Sequence, residues 1–278
     1  MLETLHKISV TCFFSSYVVA LLLELTRFIS SNRLRVPAVV GMMVIGVFTH
    51  VSFLFLRVID AASANESGLL SSWAEWSLLL ALLVAVLFLF QYIQRSDTII
   101  SFFFLPLILA IIGVGIKVGG WEQFTRDQAV NVWRSTHGLA MMVGTCAVLV
   151  GFLVGVMYLV QSWRLKKKRA GSRTFRLPTL ETLDRANRRS LIVSTAAVAI
   201  GVVAGLMMNL NQFDRIAWTD GGILLSFVLF LWLVGATATE FLYTPASRGR
   251  KAFYMTLASL GFLVLALLGI MFSSHGVS

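Results

Sequence analysis

Eight apolar stretches, near residues 8–28, 36–57, 74–94, 98–117, 137–163, 190–210, 221–243 and 252–272, take up most of this 278-residue chain. Crossing the hydrocarbon core of a bilayer requires about 20 apolar residues per helix, because backbone groups there find no water and must bond within their own segment. Each stretch meets that length, so the sequence predicts an all-α integral membrane protein, a bundle of about eight transmembrane helices. The overall balance agrees: 58% of residues are hydrophobic and 13% charged, and the mean hydropathy is +0.84, which excludes a water-soluble globular domain. The connections are mostly short, so residues 1–278 read as a single transmembrane domain. Met1 to Lys7 carries Glu3 and one Lys ahead of the first apolar run, without a small-residue cleavage site, and reads as the lead into a retained span.

The net charge of +10 lies mainly in alternate connections. Residues 27–35 hold Arg27, Arg33 and Arg35; ten Lys and Arg between Arg164 and Arg189 outweigh Glu181 and Asp184; and 244–251 hold Arg248, Arg250 and Lys251. The intervening connections are acidic or balanced, with Asp60 and Glu66 in one, Glu122, Arg126, Asp127 and Arg134 in the next, and Asp214, Arg215 and Asp220 in the third. Basic loops stay cytoplasmic, so both termini are expected outside. The Lys166 to Arg169 cluster then reads as a topology anchor on anionic headgroups, with the lipid bilayer and no nucleic acid as its partner.

Within the spans, ionisable residues fall near the ends: Glu24 with Arg27, Glu75, Lys117 and Glu240. Glu24 and Glu240 are expected as interfacial carboxylates beside basic loops, which argues against a proton pump or coupled transporter. Gly151 and Gly155, and likewise Gly201 and Gly205, are spaced to let helices approach closely, and packing within the chain is favoured over dimerisation. Pro178 followed by leucines at 180 and 183 predicts a short amphipathic helix on the cytoplasmic surface over 177–189. Cys12 and Cys146 lie in spans, in no C-x-x-C arrangement, and are read as packing residues.

The four histidines, His6, His50, His137 and His275, all fall in the outer half of this topology. Imidazole can ligate haem iron or titrate near neutral pH. His137 opens the fifth span and His275 follows the eighth, so helix packing can bring the two within the reach of one axially ligated haem. Arg134 and Arg215, in outer connections, are candidate partners for its propionates. Interfacial histidines and solvated arginines remain the alternative. His50 is expected to face the bundle interior, either as a packed, hydrogen-bonded residue or as a further haem ligand.

From about residue 130 to the end, the sequence resembles the CcsA-type cytochrome c assembly family, most closely its HemX-like and YpjD-like members. The residues that carry the resemblance are Trp133-Arg-Ser-Thr-His137-Gly, Val156-Met-Tyr-Leu-Val-Gln161 before the basic run, Leu177-Pro-Thr-Leu-Glu-Thr-Leu-Asp184-Arg, and the last span ending at His275. The resemblance implies a 130–278 cytochrome c assembly-like core that handles haem b at the outer face of the bacterial inner membrane. His137 and His275 would be the iron ligands, and a Trp-rich loop would cover the porphyrin. That loop reads Asn211 to Gly222 here and keeps Trp218 and Asp220 but not the family's Pro-Lys-Glu step. The function so implied is haem delivery, or an accessory role beside a cytochrome c assembly partner, without independent catalytic activity. The altered loop keeps open a HemX-like regulator of tetrapyrrole synthesis. A small-molecule permease is a third reading, against which the lack of mid-membrane charges and broken helices counts.

Overall fold

The computed structural model describes residues 9–29, 34–63, 72–118, 132–167, 175–213, 221–242 and 251–272. Within them eight helices follow in order: α1 Val10–Leu25, continued by a 3-10 turn at Thr26–Phe28, then α2 Arg35–Ser63, α3 Trp73–Gln94, α4 Ser101–Val118, α5 Val132–Lys166, α6 Leu180–Phe213, α7 Gly221–Leu242 and α8 Lys251–Phe272. Each coincides with one of the eight apolar stretches. Six are long and apolar enough to cross a membrane, and α4 and α8 are apolar over Ser101–Lys117 and Phe253–Leu268. No strand occurs among the described residues. The protein is a helical membrane bundle.

The helices gather into two compact units, one comprising the chain up to Val130 together with Gly171–Leu177, the other the remainder. In the first, α1 packs on α2 and α4, and α3 packs on α2 and α4; in the second, α5 packs on α6 and α8, and α7 packs on α6 and α8. Each unit is therefore a closed ring of four sequence-adjacent helices.

α2 shows why these helices belong in lipid. Val44, Phe48, Val51 and Phe55 recur three or four apart on its exposed face, with Ile45 beside them, while Val39, Met43, His50 and Leu54 are buried. The outward stripe is fully apolar and the one imidazole points inward, the reverse of a helix on a soluble protein.

Local chemistry sets the helix ends. Ser72 caps α3, its hydroxyl accepting from the Glu75 amide at 3.3 Å, the first half of an S-x-x-E capping box. At α6, Thr179 accepts from the Thr182 amide at 3.3 Å directly after Pro178. The 177–189 segment is accordingly not a separate surface helix. From Leu180 it forms the first turns of the 34-residue α6, with no proline to interrupt them, and its Leu183 is buried.

Candidate functional site

His137 stands in the second turn of α5, and its ring lies against α6. Its Nδ1 is 2.7 Å from the carbonyl oxygen of Gly201. A carbonyl can only accept, so Nδ1 carries the proton and donates, which places the ring's lone pair on Nε2. The second glycine of the pair makes this approach possible: a Cβ on Gly205 would sit 2.9 Å from His137 Nδ1 and 3.1 Å from its Cε1. A Cβ on Gly201 would meet Met141 Sδ at 2.7 Å, one turn further along α5. Gly201 and Gly205 thus form a slot on α6 that receives His137 and Met141. Gly151 and Gly155 do the same for α8, where an added Cβ would lie 3.2 Å from Thr256 Cγ2 and 3.2 Å from Leu257 Cδ2 respectively. Both glycine pairs serve packing within the second unit, as their spacing predicts.

Arg134, one turn before His137, is half-buried on the same helix. His275, Trp218 and Arg215 lie outside the described residues, so the His137 and His275 pairing and the indole cover rest on sequence alone. Among the described residues no group of three or more His, Cys, Asp or Glu is placed to hold a metal ion. A haem ligated by single residues from different helices needs no such group, and a histidine whose Nδ1–H is fixed by a backbone carbonyl fits the requirement for a neutral, oriented ligand.

His50 belongs to the first unit and is fully buried there, as expected of an inward-facing imidazole. Its ring stacks on Phe13 with centroids 4.0 Å apart and planes 1° from parallel, and Nδ1 lies 3.3 Å from the Tyr17 hydroxyl. Phe13 covers one face of the ring, and Tyr17 holds one nitrogen.

Sequence reading missed the most polar site of the first unit. Glu24, expected as an interfacial carboxylate beside a basic loop, lies next to the end of α1 facing that loop's arginines and is fully buried. Its carboxylate accepts from the Tyr92 hydroxyl at 2.5 Å and the Ser101 hydroxyl at 2.8 Å, and faces Arg35 Nε at 3.5 Å and Arg27 at 3.7 Å. Arg27 in turn donates to the carbonyl of Thr98 at 2.8 Å and to that of Asp97, in the turn after α3. Four chain segments meet there: the ends of α1 and α3 and the starts of α2 and α4. Both carboxylate oxygens are engaged, so Glu24 acts as a fixed negative charge that clasps the helix ends. The signal available in sequence was Glu24 three residues before Arg27, with Arg35 opening the next helix. Glu240 is likewise buried, at 3% exposure, in the second unit.

No family model, curated protein or solved structure matches this chain.

Proposed function

We propose that this protein is a haem-associated membrane protein of the cytochrome c assembly kind, which handles haem at the outer face of a bacterial inner membrane or assists cytochrome c maturation there. The observation that carries the reading is the His137 Nδ1–H bond to Gly201 O, because it prepares Nε2 as a donor in the tautomer an iron ligand needs. His137 would hold the iron, with His275 as second ligand, Trp218 against the porphyrin, and Arg134 or Arg215 beside the propionates. Haem, when bound, supplies a redox-active iron. The chain's own part is to orient the imidazole against α6 and present it near the start of α5.

The protein purified in mild detergent is expected to show a haem absorption spectrum that changes on adding dithionite, and His137→Ala should lose most of it. Replacing His275 as well should do little more, since one coordination unit is already broken. A wild-type protein that neither retains nor takes up haem would remove the reading.

The same proposal places 27–35, 164–189 and 244–251 in the cytoplasm and both termini outside. A single cysteine introduced at residue 170 in a background lacking Cys12 and Cys146 should be labelled by an impermeant thiol reagent only from the cytoplasmic side. Labelling from the outside would invert the topology.

A further inference from the structure

We propose that Arg35 holds the phosphate of one anionic phospholipid at the end of the first unit where Glu24 lies, independently of any haem. The ion pairs at that end join three guanidiniums to two carboxylates. Arg27 and Arg35 lie 3.7 and 3.5 Å from Glu24, and Arg176 lies 3.7 Å from Asp97. Arg27 also donates to the carbonyls of Thr98 and Asp97, and the two oxygens of Glu24 accept from the Tyr92 and Ser101 hydroxyls. Arg35 is the cation left over.

Its Nε is buried without a hydrogen-bond partner, and its one ion pair among the described residues is the 3.5 Å approach to Glu24. Buried donors are almost always bonded, and a positive charge held out of water is costly unless an anion balances it. A guanidinium offers five donors in a planar fork, which matches the oxygens of a phosphate two at a time. The Arg35 side chain is 12% exposed, so a ligand can reach it from outside the ring of helices.

The surroundings favour a lipid phosphate over a free one. Leu34, next to Arg35, is 71% exposed. Phe28, next to Arg27, is 52% exposed, while its ring packs on Phe102 of α4 with centroids 5.2 Å apart. Leu25, three residues before Phe28, is exposed as well. These apolar side chains stand at helix ends, the level at which a phospholipid joins its phosphate to its acyl chains. A zwitterionic headgroup brings its own cation and would leave the surplus charge in place, whereas one net negative charge cancels it.

The test is thermal unfolding of the full chain in mild detergent at constant ionic strength, titrated with phosphatidylglycerol, phosphatidylcholine or inorganic phosphate. The expected result is a saturable rise in Tm with phosphatidylglycerol and none with the other two. In Arg35→Gln the rise should disappear, while Glu24 keeps Arg27 as its counter-charge. Replacing Lys166, Lys167, Lys168 and Arg169 together by Gln should leave the rise intact. Equal rises with both lipids, or an equal saturable rise with inorganic phosphate, overturn the proposal; the first would be general solvation by lipid and the second a free-anion site. A full rise retained in Arg35→Gln overturns it too, and so does a rise lost with the Lys166 to Arg169 cluster, which would make the effect one of overall surface charge. If Arg35→Gln does not fold, Arg35→Lys decides, since it keeps the charge but not the fork. Its half-saturating concentration of phosphatidylglycerol should increase about tenfold, the loss of one charged hydrogen bond, and an unchanged value overturns the proposal.

Discussion

Glu24→Ala is expected to destabilise the protein by about 3–5 kcal/mol, the cost of breaking a buried ion pair from one side. The substitution would leave Arg27 and Arg35 facing each other across a void, with side-chain exposures of 7% and 12% and their shared counter-charge gone. It would also strip the acceptor from the Tyr92 and Ser101 hydroxyls, both buried in the same node. Tyr92→Phe removes one donor and keeps the charge balance, so its cost should be about 1.5–3 kcal/mol. The check is thermal unfolding in detergent followed by intrinsic fluorescence, with monodispersity by size exclusion. Arg35→Leu added to Glu24→Ala should recover part of the loss, since it removes one of the two uncompensated charges. If Glu24→Ala melts no lower than Tyr92→Phe, the node is a surface-like pair and not a clasp.

On the proposal that His137 holds haem, Gly205→Ala should displace His137 and remove haem almost as completely as His137→Ala is expected to. The new methyl would lie 2.9 Å from Nδ1 and 3.1 Å from Cε1 of a rigid ring, so the imidazole must turn and the bond to Gly201 O must lengthen or break. Overpacking of this kind costs about 1–3 kcal/mol, so a modest fall in Tm should accompany it. Gly201→Ala is the matched control. Its methyl would meet the Met141 thioether at 2.7 Å, the far end of a flexible side chain that can move aside, and haem content should be largely kept. The measurement is haem absorbance per protein for the three variants side by side. Loss in Gly201→Ala with retention in Gly205→Ala would contradict the role given to the slot.

Hydropathy made the helices legible because a membrane span has to be apolar all round, and α2 is apolar even on the face that touches nothing in its unit. The glycine pairs could be read as close-approach points for the same kind of reason, since only a missing Cβ permits such contacts. Hydropathy says nothing about which partner fills a slot, so the contact of His137 with Gly201 and Gly205 emerged only with the register of α5 on α6. Position along a span puts Glu24 and Glu240 near helix ends, where they are, but says nothing of their burial. A carboxylate near a helix end can still be enclosed by neighbouring helices when they bring their own cations and hydroxyls, as Arg35, Tyr92 and Ser101 do from three other segments. In sequence the 177–189 segment reads as a separate helix because Pro178 opens it and its leucines recur three apart, yet a polar stretch runs on into the next helix when a cap precedes it and no proline follows.

The first unit is discontinuous in sequence. Its turn after α3 is completed by a residue on the far side of α5: the Ile99 amide donates to the Arg176 carbonyl at 2.9 Å, and Asp97 pairs with Arg176 at 3.7 Å. During synthesis at about 5–20 residues per second, Arg176 leaves the ribosome several seconds after Ile99. Over that interval the Glu24 clasp can close, because every residue in it has already been made, while the Ile99 amide must wait. The order of manufacture thus separates the two fastenings at this end of the unit, and a chain stalled or cut before residue 171 would carry the charged one without the backbone one.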